Sequence, residues 1–534
     1  MRLPDDSSRR PTTTIGLVGL FIFVGFALRI HDVDHSLWLD ELHTAWTVDD
    51  GLAEVAPRAR MGNQSPLYFY MEWALVRVLG LNETSLRWLS VGASTVFMAL
   101  AAWAIWRWTA SRVATVAVVM LLALDRVFIF YAQDARPYAV LHLVALAQLI
   151  CVREVLRDAQ RRWRIALIVT SLAMLYLHYT SGLLLVAEAI YITATWCGRG
   201  QVRRAAYQPS TAVVDALTVI VAAIPLWSHA TLVASRRANW AQFVPRPTWI
   251  DLATLFPLDC WFIYPALVAG AVSWLSPHRE VVSPVVPRQH TTLVRCLLGI
   301  FFILLVLTWL LTRADIARVF FKRYLMVGAV APIFATAIIG ASLRGRKVVA
   351  AYFITLAVGL MISPFQSSTH SVVRNFMLHR DISGHAREDW RGAVQFVRAH
   401  GTGRIPVFVR SGFIECTVAR FTEERWAEYC TVPVNNLYDL THDGREVNPL
   451  CSRRPWELNP RERKRLTEAG RGWFILRGGS SLADETARRL VTSLSAQGTW
   501  SVTDWQVFQG RPGVCVFQLR RGGSATPRDE PRRL

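Results

Sequence analysis

Four carboxylates and three histidines crowd one short stretch, His31-Asp32-Val33-Asp34-His35-Ser36-Leu37-Trp38-Leu39-Asp40-Glu41-Leu42-His43, directly after an apolar run from Ile15 to Leu28. Charges held beside a bilayer need a reason. Three readings stay open on residue type alone. A carboxylate there could act as general base, taking a proton from an acceptor hydroxyl as it attacks an activated sugar. His and carboxylate together could ligate a metal. The stretch could also be an ordinary solvated loop. A second acidic stretch, Tyr131-Ala132-Gln133-Asp134-Ala135-Arg136-Pro137-Tyr138, lies further on, as do His178-Tyr179 and the cations Arg236, Arg237, Arg246, Arg313, Arg318, Lys322 and Arg323. Arg and Lys can hold a phosphate and stabilise it as it leaves, so acids beside such cations suit a lipid-phosphate donor. The competing reading is that each cation meets a lipid headgroup.

The elements that must position these residues are apolar helices. Of 534 residues, 52% are hydrophobic and 18% charged, and the mean hydropathy is +0.28, which argues against an ordinary soluble chain. The apolar residues gather in runs of about twenty, the length that spans a bilayer core. Candidate spans lie near 15–28, 86–106, 114–131, 138–152, 164–178, 182–197, 212–230, 251–275, 292–311, 324–342 and 348–363, about eleven in all. Arg107 and Arg112, the arginines of 153–164, Arg199, Arg203 and Arg204, Arg279 and Arg288, and Arg344, Arg346 and Lys347 fill alternate loops on the N-terminal side. The positive-inside rule makes that side the cytoplasm, so an odd number of crossings places the C-terminus outside. Both acidic stretches and the unexplained cations then share the outer face. The net charge of +20 thus reads mainly as a topology signal, and nucleic acid is not an expected partner.

The expected fold is a polytopic α-helical membrane domain over 1–364, a small extracytoplasmic α/β domain over 365–520 and a disordered tail over 521–534. The α/β reading rests on short apolar strands at 405–409, 472–476 and 514–519 and helical periodicity near 389–398 and 483–494. Four cysteines fall in or near spans. Cys416, Cys430, Cys451 and Cys515 fall in the tail, where two disulfides or four buried thiols are equally admissible and no metal spacing is evident. No Walker loop, no GxGxxG after a strand and no zinc-protease helix occurs, which disfavours a nucleotide-using enzyme.

Taken in order, Leu37-Trp38-Leu39-Asp40-Glu41, Ser65-Pro66-Leu67-Tyr68, Leu86-Arg87, Gln133-Asp134-Ala135-Arg136-Pro137-Tyr138 and Arg323-Tyr324-Leu325 resemble the GT-C superfamily. The likeness is to bacterial relatives of protein mannosyltransferases and of the lipid A aminoarabinose transferase. It spans roughly 14–365, and Asp389-Trp390-Arg391 adds to it. The resemblance implies an inner-membrane enzyme that moves a sugar from a polyprenyl-phosphate donor to an acceptor lipid, glycan or protein with inversion. Asp40 is then the base, with Glu41 beside it and Asp134 and Arg136 in the second loop. Tyr68, Tyr138, His178, Arg236, Arg237, Lys322, Arg323 and Tyr324 would contact substrate. Some relatives bind a divalent cation near these acids and others do without one, so a metal stays open. Two departures stand out: Gln64 replaces the histidine that relatives carry before Ser65-Pro66, and Asp125-Arg126 replaces a small residue and proline. Only three of the 59 basic residues are lysine, which fits a GC-rich bacterial genome. The rival classes are a secondary transporter or flippase, whose marks would be internal repeats and broken helices, and a non-catalytic scaffold.

Overall fold

The computed structural model describes residues 11–197, 206–236, 241, 243–275, 288–362, 388–401, 404–418, 424–442, 444–508, 510 and 512–522. Arg237, Arg279, the loop arginines 199, 203 and 204, and residues 523–534 of the expected tail lie outside that set. The chain divides into two compact units, Met1–His31 with Asn63–Tyr68 and Arg87–Gly384, and Asp32–Gly62 with Phe69–Leu86 and His385–Leu534.

Along the chain run α1 (Pro11–Ile30), the short α2 (Leu39–Asp49) and α3 (Leu52–Met61), α4 (Leu67–Leu79), α5 (Glu83–Thr109), α6 (Arg112–Leu124) and α7 (Arg126–Ala132). The antiparallel α8 (Tyr138–Asp158) and α9 (Arg161–Leu177) follow, then α10 (Gly182–Cys197), α11 (Pro209–Ala222), α12 (Trp227–Ser235) and α13 (Trp249–Thr254). The helical series of the first unit ends with α14 (Tyr264–Leu275), α15 (Arg288–Arg313), α16 (Lys322–Leu325), α17 (Val330–Ala341) and α18 (Arg346–Ile362). Helix lies over each of the eleven apolar stretches. By length and composition, five helices among the described residues can cross a membrane, and up to eight crossings arise if each of three bent pairs is one span. Large apolar side chains such as Ile15, Phe23, Val213, Leu217 and Leu310 stand exposed along these helices, as they do where the solvent is hydrocarbon.

The stretch expected as one span over 114–131 is broken. α6 stops at Leu124, and α7 leaves at 61° to it. Asp125 makes the break: its carboxylate accepts from the amides of Val127 at 2.8 Å and Phe128 at 3.2 Å, capping α7. On the other side of the break, the buried Arg29 guanidinium at the end of α1 donates to the carbonyls of Leu122 at 2.8 Å and Ala123 at 3.3 Å, and to Ser94 Oγ at 2.8 Å. It thereby takes up carbonyls that the last turn of α6 leaves open. Asp125, unexplained from sequence, is a helix cap.

The second unit carries α19 (Trp390–His400), β1 (Val407–Arg410), α20 (Ile414–Val418), α21 (Glu424–Cys430), β2 (Val447–Pro449), α22 (Pro460–Ala469), β3 (Arg471–Arg477), α23 (Ser480–Leu494), β4 (Trp500–Phe508) and β5 (Val514–Arg521). The strands form one sheet in the order β2-β1-β3-β5-β4, with the first three parallel and the last two antiparallel. Its register stacks Phe408, Phe474 and Phe517 across three neighbouring strands, with ring centroids 4.9 and 5.1 Å apart. The buried face of α23, Ala483, Ala487, Leu490 and Leu494, joins this core. Parallel strands buried in this way read in sequence as the continuous apolar runs noted above.

The cap at Asp125 is open to test. Asp125→Ala should cost about 1 kcal/mol and lower the melting temperature of the detergent-solubilised protein, whereas Asp125→Asn, which keeps an acceptor oxygen, should melt close to wild type. Equal melting of the alanine variant and wild type would remove the capping role.

Candidate functional site

The acid-rich first stretch is held in place from its start. In the second unit, the Leu37 amide donates to the Tyr438 hydroxyl at 2.8 Å, and Ser36 Oγ lies 3.1 Å from the same oxygen. The Arg391 amide donates to Ser36 Oγ at 3.2 Å, and the Arg391 guanidinium reaches the Asp34 carbonyl at 3.2 Å and the Glu83 carboxylate at 3.1 Å. Arg391 can do this because α19 begins at a fixed point: Asp389 accepts from the Gly392 amide at 2.7 Å. A Cβ on residue 392 would crowd the Asp389 carboxylate, which would have to shift to keep the cap. The Asp389-Trp390-Arg391 motif therefore organises the first stretch.

Asp40 sits in the first turn of α2 and is partly exposed, while Glu41 beside it is fully buried. The Glu41 carboxylate accepts from the Trp38 amide at 3.3 Å, so it serves the start of the helix. The rest of α2 is fixed by its buried side. Trp46 Nε1 donates to Glu428 at 2.8 Å, the Arg58 guanidinium lies 4.8 Å over the Trp46 ring, and His43 meets Phe69 and Tyr429 edge-on at 5.6 Å each. His43 packs so closely on Gly62 that a Cβ there would fall 2.3 Å from its Nε2. Sequence motifs alone did not identify Glu388, a buried acid of the same unit. It accepts from Arg477 at 2.7 and 2.9 Å and from Trp390 Nε1 at 2.8 Å. Burial pushes the Glu388 carboxyl up, Arg477 pulls it back, and the negative charge of Asp40 adds a further upward push, so the two acids lie within electrostatic reach.

The first unit gathers another set. Asp134 and Arg136 are buried in the turn between α7 and α8, where Ser90 Oγ donates to their carbonyls at 2.7 and 3.3 Å. Gln133 ties the same turn to the end of α1, donating to the carbonyls of His31 at 2.7 Å and Leu28 at 3.1 Å. Tyr138 opens α8 against the rings of Tyr131 at 4.9 Å and His178 at 5.8 Å. His178 lies 5.7 Å from Tyr324, and the Arg323 guanidinium sits 5.5 Å from the Tyr138 ring centre. Residues from three distant stretches of sequence thus form one aromatic and cationic cluster. The Thr180 amide donates to His178 Nδ1 at 3.3 Å, which leaves the ring proton on Nε2. Lys322 begins the short helix that carries Arg323 and Tyr324.

Other predicted residues are placed differently. Tyr68 is fully buried. Arg236 donates to Asn63 Oδ1 at 2.8 Å, one residue before the altered Gln64. Arg246 and Arg318, expected to seek an anion, both bind Asp315, at 2.9 and 2.7 Å, and their hydrogen bonds pull its carboxyl down to about 2. Arg237 is outside the described residues. Among the described residues, the acids and histidines of the first stretch do not bring three metal-ligating atoms together. The cysteines Cys416, Cys430 and Cys451 do converge.

Among solved structures, the chain is similar to the crystal structure of ArnT from Cupriavidus metallidurans bound to undecaprenyl phosphate, at 12% identity and a TM-score of 0.48, covering 97% of this chain and 100% of that one. It is also similar to the apo state of that protein, at 13% identity and a TM-score of 0.38, covering 95% and 98%. No family model and no curated protein matches the chain.

Glu41→Ala should remove the cap of α2 at a cost of about 1 kcal/mol and speed amide hydrogen exchange over residues 39–49 roughly fivefold, while Glu41→Gln keeps an acceptor and should exchange near the wild-type rate. If alanine and glutamine variants exchange alike, Glu41 is not a cap.

Proposed function

We propose that this chain is a membrane glycosyltransferase that moves a sugar from a polyprenyl-phosphate donor to an acceptor hydroxyl on the outer side of a bacterial inner membrane, with inversion. The observation that carries the reading is the ordered set of GT-C-like motifs. Asp40 is partly exposed at the start of a helix fixed along its length. His178, Arg323 and Tyr324 cluster with Tyr138 at the turn bearing Asp134 and Arg136.

In this mechanism, Asp40 takes the proton of the acceptor hydroxyl as its oxygen attacks the anomeric carbon from the face opposite the phosphate. Single displacement inverts that centre. The bond from the anomeric carbon to the phosphate oxygen breaks, and Arg323, with Lys322, neutralises the departing lipid phosphate. Tyr324, partly exposed beside His178, offers its ring to a sugar, while Tyr138, buried among Tyr131, His178 and Arg323, holds that cluster together. Glu41 keeps Asp40 at the helix start, and Asp134 and Arg136 shape the second loop.

A transporter is the second reading, favoured by the bent pairs α6–α7, α11–α12 and α16–α17. The first of these breaks is filled by the protein's own Asp125 and Arg29, which argues for a structural bend there.

The deciding experiment offers a panel of radiolabelled polyprenyl-phosphate sugars to membranes holding wild type or Asp40→Asn at equal amounts. Wild type should transfer label, and the variant should be slower by about a hundredfold or more, the scale of a lost general base. Equal rates would remove Asp40 from the chemistry, and label that crosses vesicles without being transferred would favour the transporter.

A further inference from the structure

Three thiols meet in the second unit. Cys416 lies in α20, Cys430 ends α21 and Cys451 follows β2, and their sulfurs all lie within 4.8 Å of one another. Cys416 and Cys430 are buried, whereas Cys451 is partly exposed. The remaining tail cysteine, Cys515, stands in β5 opposite Leu476, with its thiol donating to the Gly478 carbonyl at 3.6 Å. Nothing in the sequence spacing of 416, 430 and 451 announces this convergence, because the fold brings together two short helices and the end of a strand.

A three-thiol cluster can hold a soft metal or form a disulfide. Structural zinc takes four protein ligands. Among the described residues no fourth His, Cys, Asp or Glu joins the three. A disulfide needs only two, and it leaves the third thiol next to the bond, where exchange can continue. The surroundings single out one sulfur as the resolving thiolate. Ser411 Oγ lies 3.6 Å from Cys416 Sγ, and Arg410 ends the adjoining strand. Hydrogen bonds from the Cys430 and Cys451 thiols hold the Cys416 thiol below its ordinary value, with Ser411 and the Arg410 charge adding to them against the opposing effect of burial.

We propose that Cys416, Cys430 and Cys451 form a thiol–disulfide exchange site, in which Cys451 is the sulfur that an external disulfide reaches and Cys416 is the thiolate that resolves the mixed disulfide. Cys451, whose thiol is pushed up by its hydrogen bond with Cys416, passes its proton to the Cys416 thiolate as its sulfur attacks one sulfur of a small disulfide such as oxidised glutathione, and the released glutathione thiolate takes that proton back from Cys416. Cys416 then attacks the Cys451 sulfur and expels the second glutathione as thiolate, which takes up a proton. Two protein thiols are oxidised and one glutathione disulfide is reduced to two thiols. Cys430 can then attack the new bond and move it, so two of the three sulfurs are bonded at any time. A bond to Cys451 clamps the segment after β2 to α20 or α21, and one between Cys416 and Cys430 ties α20 to α21. The residue before Cys430, Tyr429, stacks on Phe413 at 4.6 Å and meets Trp46 of α2 at 5.4 Å. Oxidation therefore stiffens the support of the helix that carries Asp40. The proposal does not rest on the transferase reading, since the exchange chemistry requires only these thiols.

The test uses the full-length wild-type chain in detergent, incubated with oxidised glutathione or with dithiothreitol, then blocked with N-ethylmaleimide and mapped by mass spectrometry without reduction. The oxidised sample should show one disulfide within the trio, with the third member blocked, and dithiothreitol should convert all three to the blocked form. The Cys416→Ser, Cys430→Ser double variant should instead retain glutathione on Cys451, while the wild type should not. The proposal is overturned if all three thiols are blocked after oxidation, if glutathione stays on wild-type Cys451, if the disulfide involves Cys515 or a second chain, or if elemental analysis finds one metal ion per chain whose removal is needed before the trio reacts.

Discussion

Polar groups inside an apolar interior must find partners within the protein, because hydrocarbon supplies none. The break between α6 and α7 shows how this chain meets that constraint. Ending a helix amid apolar surroundings opens carbonyls on one side and amides on the other. Arg29 covers the first set and Asp125 the second. Two charges that would each be costly alone become the means by which α7 can turn by 61°, and the turn after α7 carries Asp134, Arg136 and Tyr138.

The second unit solves a related problem with different means. Asp40 needs a fixed backbone and an exposed carboxylate together, and a short helix is marginal without tertiary support. Glu41 caps the helix, Trp46 and His43 bury its inner side, and Tyr438 and Arg391 secure the stretch before it. The five-stranded sheet supplies the base for these contacts at the start of α19, where Glu388, just before the helix, is held by Arg477 of β3. Rigidity is thus delivered to one turn of helix from residues more than 300 positions away in sequence.

The apolar runs and the alternation to short strands were legible in sequence because periodicity is local. Helix lies over every apolar stretch, and the strands near 405–409, 472–476 and 514–519 lie in the sheet. The motifs pointed to Tyr138, Arg323 and Tyr324, and the outer-loop reading to His178, residues that the fold does gather. What sequence did not yield was partnership. Arg246 and Arg318 looked like cations awaiting an anion until Asp315 proved to bind both. Asp125 looked anomalous because a span was drawn through it. Glu388, Ser90 and the cysteine trio depend on contacts between distant segments, and no local pattern encodes those.

The proposed function turns on whether the cluster around Arg323 holds a polyprenyl phosphate. Native mass spectrometry of the full chain, titrated with a polyprenyl phosphate or with phosphatidic acid, addresses it directly. The account predicts saturable binding of one polyprenyl phosphate in preference to phosphatidic acid, weakened roughly tenfold or more by Arg323→Ala, since a hydrogen bond to a charged group is worth about 1.5–3 kcal/mol. Binding that never saturates, or equal uptake of both lipids by wild type and variant, would contradict it.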